Sequence, residues 1–89
     1  MPEEFESTMQ FSSEELQEEK VREVIKKVFE ALEEKGYSPV NQLVGYLLSG
    51  DPAYITSYSN ARTIISTLER DEIVKVLLNS YLRNKTASE

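Results

Sequence analysis

Residues 36–61 read GYSPVNQLVGYLLSGDPAYITSYSNA, and the punctuation within this stretch decides the fold. Gly36 stops one helix, Ser38 is placed to cap the next, and Pro39 takes the first helical position, where a missing amide hydrogen does no harm. Val40, Leu43, Val44, Leu47 and Leu48 then recur at helical spacing, and the last four of these are expected in the core. Gly50 closes that helix. Asp51 and Pro52 open a tight turn or a single helical turn through Ala53, Tyr54 and Ile55, because aspartate caps well and proline fixes the backbone for it. Residues 56–59 read as a connection. Tyr, Ile and Thr favour extended structure, but a strand over residues 54–58 would have no equally good partner.

Working outward, Ser12 and Glu15 have the spacing of a capping box, and the glutamates beside them suit the positive end of a helix dipole. From Leu16 onward, Val21, Val24, Ile25, Val28, Ala31 and Leu32 recur at helical spacing, which predicts a helix of about six turns from near Ser13 to near Lys35. Downstream, Ala61, Ile64, Ile65 and Leu68 resume that spacing. Asp71 is placed to cap a last helix carrying Ile73, Val74, Leu77, Leu78, Tyr81 and Leu82. The fold class is therefore all-α, a compact bundle of four main helices plus a short helical turn. Residues 13–83 form its helical domain, between a flexible acidic tail at 1–12 and a frayed tail at 84–89.

Composition narrows the chemistry. Apolar residues at 39% and charged residues at 29% fit a globular chain and exclude one disordered throughout. A domain of 89 residues has a thin core, and without disulfide or metal it gains by covering apolar surface with a second copy, so a homodimer is expected. Cysteine and histidine are both absent, which removes disulfides, the usual zinc sites and any histidine-activated nucleophile. No leader peptide and no membrane-crossing run is visible, so a cytoplasmic protein without membrane insertion is expected. The net charge of −6 is uneven: the first 19 residues hold seven glutamates and no base, and the remainder is near neutral. No basic face is visible, and nucleic acid is not an expected partner.

Three motifs invite chemistry. Gly45 and Gly50 have the glycine spacing of a phosphate-binding loop, but Asp51 and Pro52 stand where that loop needs Lys and then Ser or Thr. The glutamates of the first helix would suit a hard cation, yet they interleave with Lys20, Lys26, Lys27 and Lys35 as a solvated face does. No metal, cofactor or catalytic residue is expected. The central stretch is the third: among residues 36–61 only Asp51 is charged, and four of the five tyrosines lie there. Tyr37, Tyr46, Tyr54 and Tyr58 suit an interface and a core equally. Arg62, beside Asn60, is either a surface residue or a recogniser of phosphate or carboxylate.

The block around these residues is specific. Glu34-Lys35-Gly36-Tyr37, Pro39, Asn41-Gln42, Val44-Gly45-Tyr46, Leu48-Ser49-Gly50-Asp51-Pro52-Ala53-Tyr54-Ile55, Asn60-Ala61-Arg62 and Glu69-Arg70-Asp71-Glu72-Ile73 together resemble the signature of the IreB family of bacterial regulatory phosphoproteins, found in Gram-positive bacteria. The resemblance runs from about Thr8 to Arg83. It implies a small helical homodimer, not an enzyme, phosphorylated in its N-terminal tail by a membrane Ser/Thr kinase with extracellular PASTA domains. It also implies control of peptidoglycan precursor synthesis, through a Clp-type protease and an adaptor that set the level of the first committed enzyme. Thr8, followed by Phe11, is the phosphoacceptor the resemblance points to, and Tyr54, Tyr58, Asn60 and Arg62 are the partner-binding residues to test. Some members carry a second tail threonine where Phe5 stands, and some an arginine where Ser57 stands. Phosphate on Thr8 would dock on Arg62 and Arg70, or repel an acidic partner. The alternative function is a small DNA-binding regulator of helix-turn-helix type, which would need basic and amide side chains on a recognition helix.

Overall fold

The computed structural model describes residues 13–87. The acidic tail, the Ser12 cap and Thr8 lie outside them. Four α-helices and two 3-10 turns follow one another: α1 (Ser13–Glu34), α2 (Pro39–Ser49), a turn at Pro52–Tyr54, a second at Tyr58–Asn60, α3 (Ala61–Ile65) and α4 (Arg70–Ala87). The described residues contain no strand, so the all-α reading holds.

α1 is the spine. Its 22 residues span about 33 Å at 1.5 Å per residue, and it packs against α2, α3, α4 and the second 3-10 turn. Val21, Val24, Val28, Ala31 and Leu32 are buried, the helical spacing visible in the sequence. They meet Ile55, Ile65 and Ile73 in one core with Tyr46, Ala61, Leu68 and Val76. Among the described residues this core holds no polar or charged side chain. α1 stops with the paired bonds of a Schellman motif, Gly36 N–H to Glu33 O at 3.0 Å and Tyr37 N–H to Leu32 O at 2.9 Å.

α2 begins at Pro39 as expected, but the Ser38 hydroxyl makes no capping bond; its carbonyl instead accepts from Gln42 N–H at 3.0 Å. The helix ends at Gly50, whose φ of 75° is the left-handed conformation that a side chain disfavours. Its inward face differs from the one expected. Leu43 and Leu47 pack on the core and the side chain between them, Tyr46, is buried, whereas Val44 is 47% and Leu48 81% exposed. The reason is geometric: positions 43, 46 and 47 form one helical face, and 40, 44 and 48 another about 100° round. Once the large Tyr46 ring takes the core, the second line is turned to solvent.

α3 is shorter than the spacing out to Leu68 suggested. The Ser66 hydroxyl donates to Thr63 O at 2.8 Å and the Thr67 hydroxyl to Ile64 O at 2.7 Å, so side chains take the carbonyls and the chain turns. α4 starts at Arg70, not at an Asp71 cap. The Glu69 carbonyl accepts from both Glu72 and Ile73, which leaves Asp71 inside the first turn. α4 continues to Ala87, past Arg83, where the apolar spacing ends. Ile73 and Val76 bury themselves, while Leu77, Leu78, Tyr81 and Leu82 are exposed.

Candidate functional site

The connection from α2 to α3 has little regular structure and many bonds. The Ser49 hydroxyl donates to Gly45 O at 2.8 Å and accepts from Asp51 N–H at 3.0 Å. The Asp51 carboxylate caps the first 3-10 turn by accepting from Ala53 N–H at 3.0 Å. Gln42 reaches twelve residues along the chain to donate to Tyr54 O at 2.9 Å. Arg62 Nε donates to Ile55 O at 2.8 Å, closing the loop over the fully buried Ile55 side chain. At the other end of the segment Arg70 Nη1 donates to Leu47 O at 3.1 Å, satisfying a last-turn carbonyl of α2.

Tyr54 explains why position 45 is glycine. A β-carbon there would stand 2.5 Å from Tyr54 Cε1, so the ring lies directly on the α2 backbone. This also accounts for the glycine spacing that resembled a phosphate-binding loop: Gly45 receives a ring and Gly50 a turn. Tyr58 sits farther along, with Lys35 Nζ 5.1 Å from its ring centroid, a cation–π distance. Beside it, Ser59 and Asn60 have φ of 54° and 61°. Two successive side-chain-bearing residues in the left-handed region are costly, and such strain persists only where the surroundings over-determine it. Here the buried Ala61 and Ile55 on either side and the Arg62 bond hold the chain.

The four expected partner-binding residues therefore divide. Tyr54 and Arg62 are brought together around Ile55 as supports of the loop. Tyr58 and Asn60 share the strained turn, and both are exposed, with the Asn60 side chain making no capping bond to α3. Of the tyrosines whose role was open, Tyr46 is core, while Tyr37, Tyr54 and Tyr58 keep 40–50% of their surface exposed. Thr8 lies outside the described residues. Of the two alternatives for a Thr8 phosphate, docking on Arg62 and Arg70 or repulsion of an acidic partner, the first would meet side chains that already bond Ile55 O and Leu47 O. A recognition helix finds no support either, since α2 carries no basic residue and α3 spans five residues.

Sequence reasoning passed over a second feature. Between α1 and α4 runs a groove of about 480 Å³. Its floor is Val21, Ile25, Phe29, Val76 and Leu77, and its rim carries Arg22 and Lys26 from the middle of α1, with Glu30 and Glu33 from the last turns. The signal was present as Phe29, an aromatic set one turn from Ile25 and 38% exposed. No described helix is long and apolar enough to cross a membrane.

The pinned connection lies inside the region that comparison with protein families identifies: residues 6–83 match the family model described as IreB regulatory phosphoprotein. That match spans both the Thr8 position and every element up to Arg83, and the chain belongs to the IreB family of regulatory phosphoproteins.

Proposed function

We propose that this chain is a non-enzymatic, cytoplasmic switch in the control of peptidoglycan precursor synthesis. In its unmodified form its folded surface binds a component of Clp-dependent proteolysis, an adaptor or the first committed enzyme itself. Phosphorylation of Thr8 by a PASTA-type Ser/Thr kinase alters that binding. The observation that carries this reading is the family match across residues 6–83, which takes in both the tail threonine and the connection. The contact surface is the outward part of that connection, Tyr58 and Asn60, shaped by Tyr54 and Arg62 behind it. A protein partner reads such a surface by its fixed shape, because tyrosine rings offer large area at low entropic cost.

The chain acts as a homodimer in this reading. The exposed side of α4, with Val74, Leu78, Tyr81 and Leu82, is a large apolar stripe for one small domain.

Incubation with a PASTA-type kinase and mapping of the product by mass spectrometry tests the first step, with phosphate expected on Thr8. Phosphate confined to Ser12, Ser13 or the C-terminal residues would sink the assignment. Sedimentation tests the second, where a monomer at micromolar concentration is the contrary result. A Tyr58→Ala/Asn60→Ala chain should keep its helical signal and lose at least tenfold in affinity for the adaptor.

A further inference from the structure

α4 is held near its middle, where Ile73 and Val76 are buried as it packs on α1, and toward its far end, where Arg83 faces Glu18 at 3.8 Å. Its start is held differently. Arg70 reaches back 23 positions along the chain to donate to Leu47 O at 3.1 Å. The same guanidinium lies on Gly50: a β-carbon there would stand 2.8 Å from Arg70 Cζ, 2.9 Å from Nη2 and 3.1 Å from Nη1. Because the central carbon is the nearest of the three, the space beside Gly50 is filled by the flat side of the group and not by its edge. Position 50 therefore needs glycine twice, for its φ of 75° and for this stacking.

By ordinary helix electrostatics the arginine is out of place. α4 opens with Arg70, then Asp71 and Glu72; the two acids suit the positive end of the helix dipole, and the base opposes it. Its side chain is exposed and pairs with no described carboxylate, so no ion pair offsets that cost. What it gains is the seat on α2.

We infer that Arg70 is a latch: seated on Gly50 and Leu47 O it fixes the start of α4 to the end of α2, and unseated it lets α4 swing away from α1. The pivot is the exposed Glu69, next to the buried Leu68. Before it, the Ser66 and Thr67 hydroxyls close α3 by donating to Thr63 O and Ile64 O, so α3 does not follow the motion. α4 supplies Val76, Leu77 and Ser80 to the groove on α1, and the latch thus sets how far that groove opens. A ligand that needs the groove wider must unseat Arg70, and the Gly50 end of the connection then loses its clamp; by linkage, whatever holds Gly50 and Leu47 in place favours the closed groove. None of this rests on Thr8 or on the partner proposed above.

Amide exchange of the full chain tests the latch. Arg70→Gln should speed exchange at residues 73–77 about three- to tenfold. It should also raise exchange of the Gly50 amide, bonded to Tyr46 O at 2.7 Å, and leave the amides of Val24 and Val28 unchanged. The sign is diagnostic, because removing a base from a helix start would by the dipole alone slow that exchange. Arg70→Lys keeps the charge without the plane and should recover less than half of the lost protection. Gly50→Ala evicts the guanidinium from the other side and should also open residues 73–77. Adding Arg70→Gln to it should then change those amides by less than about twofold. Slower or unchanged exchange in Arg70→Gln overturns the latch, as does full recovery by lysine. So does an equal rise at Val28, which marks a loss of the whole fold, and so does a double variant in which the two effects multiply. Should Gly50→Ala fail to fold, the sign in Arg70→Gln decides alone.

Discussion

The connection between α2 and α3 and the helix α4 are opposites in how they are held. The connection is nearly devoid of regular structure, yet Gln42, Ser49, Asp51 and Arg62 each bond its backbone, and the Ile55 side chain anchors it in the core. α4 is a regular helix of 18 residues, but only Ile73 and Val76 of its described side chains are buried. Regularity and anchorage thus part company. The irregular segment has one conformation dictated by its own polar side chains. The regular one leaves apolar surface that other elements can cover.

The largest effect should come from removing the anchor. Ile55→Ala leaves a cavity beneath the connection, and a loss of about 2–5 kcal/mol in urea unfolding is expected. Because ΔG of a domain this small is itself about 5–10 kcal/mol, the variant should be partly unfolded at 37 °C. A loss under about 1 kcal/mol would show that the connection floats free of the core and would erase the contrast with α4. Next in size is Gly45→Ala. Alanine is the better helix former by about 1 kcal/mol, but its β-carbon would force the Tyr54 ring off the α2 backbone, an overpacking cost of about 1–3 kcal/mol. Net destabilisation of about 1 kcal/mol is expected, with a change in tyrosine near-ultraviolet dichroism. Net stabilisation would mean that the ring moves aside without cost.

These two positions also mark what could be read from the sequence. The order of helices was legible because Gly36, Pro39, Gly50 and Asp51-Pro52 act through local backbone chemistry, and such signals do not depend on what packs above them. The inward face of α2 was not legible. Leu43, Val44, Leu47 and Leu48 are equally apolar, and the choice between two lines of a helix was made by Tyr46, whose ring suits core and surface alike. At the site, the tyrosine-rich block was visible as composition. The division of Tyr54 and Arg62 from Tyr58 and Asn60 was not, because it depends on Gln42 and Ile55 meeting residues seven to twelve positions away. The α1–α4 groove escaped for a similar reason: Phe29 and Leu77 lie on the first and last helices, and no local pattern reports their meeting.

A smaller effect is expected on the outer side of α4. Leu78→Ser removes a side chain that is 55% exposed, and in dilute, monomeric chain the change in unfolding free energy should stay within about 0.5 kcal/mol. The same substitution should raise the dimer dissociation constant at least tenfold by sedimentation. Equal loss at all concentrations would put Leu78 inside the monomer's own packing and make α4 no less firmly anchored than the connection.

The smallest effect probes the ion pair that ties α4 to α1, Arg83 Nη1 to Glu18 Oε2 at 3.8 Å. The arginine side chain is 69% exposed, so water and salt screen the attraction, and holding a long side chain in place offsets part of what remains. Arg83→Ala should therefore cost about 0–0.5 kcal/mol at low ionic strength. The difference from the unsubstituted chain should vanish near 1 M salt, where the screening length is about 3 Å. Amide exchange offers the finer measurement: residues 77–83 should exchange faster in the variant, and the Ile55 amide, bonded to Pro52 O at 3.0 Å, should not change. If Ile55 exchange rose together with that of α4, the two regions would open as one unit, and anything bound on α1 and α4 would then be able to act on the connection at a distance.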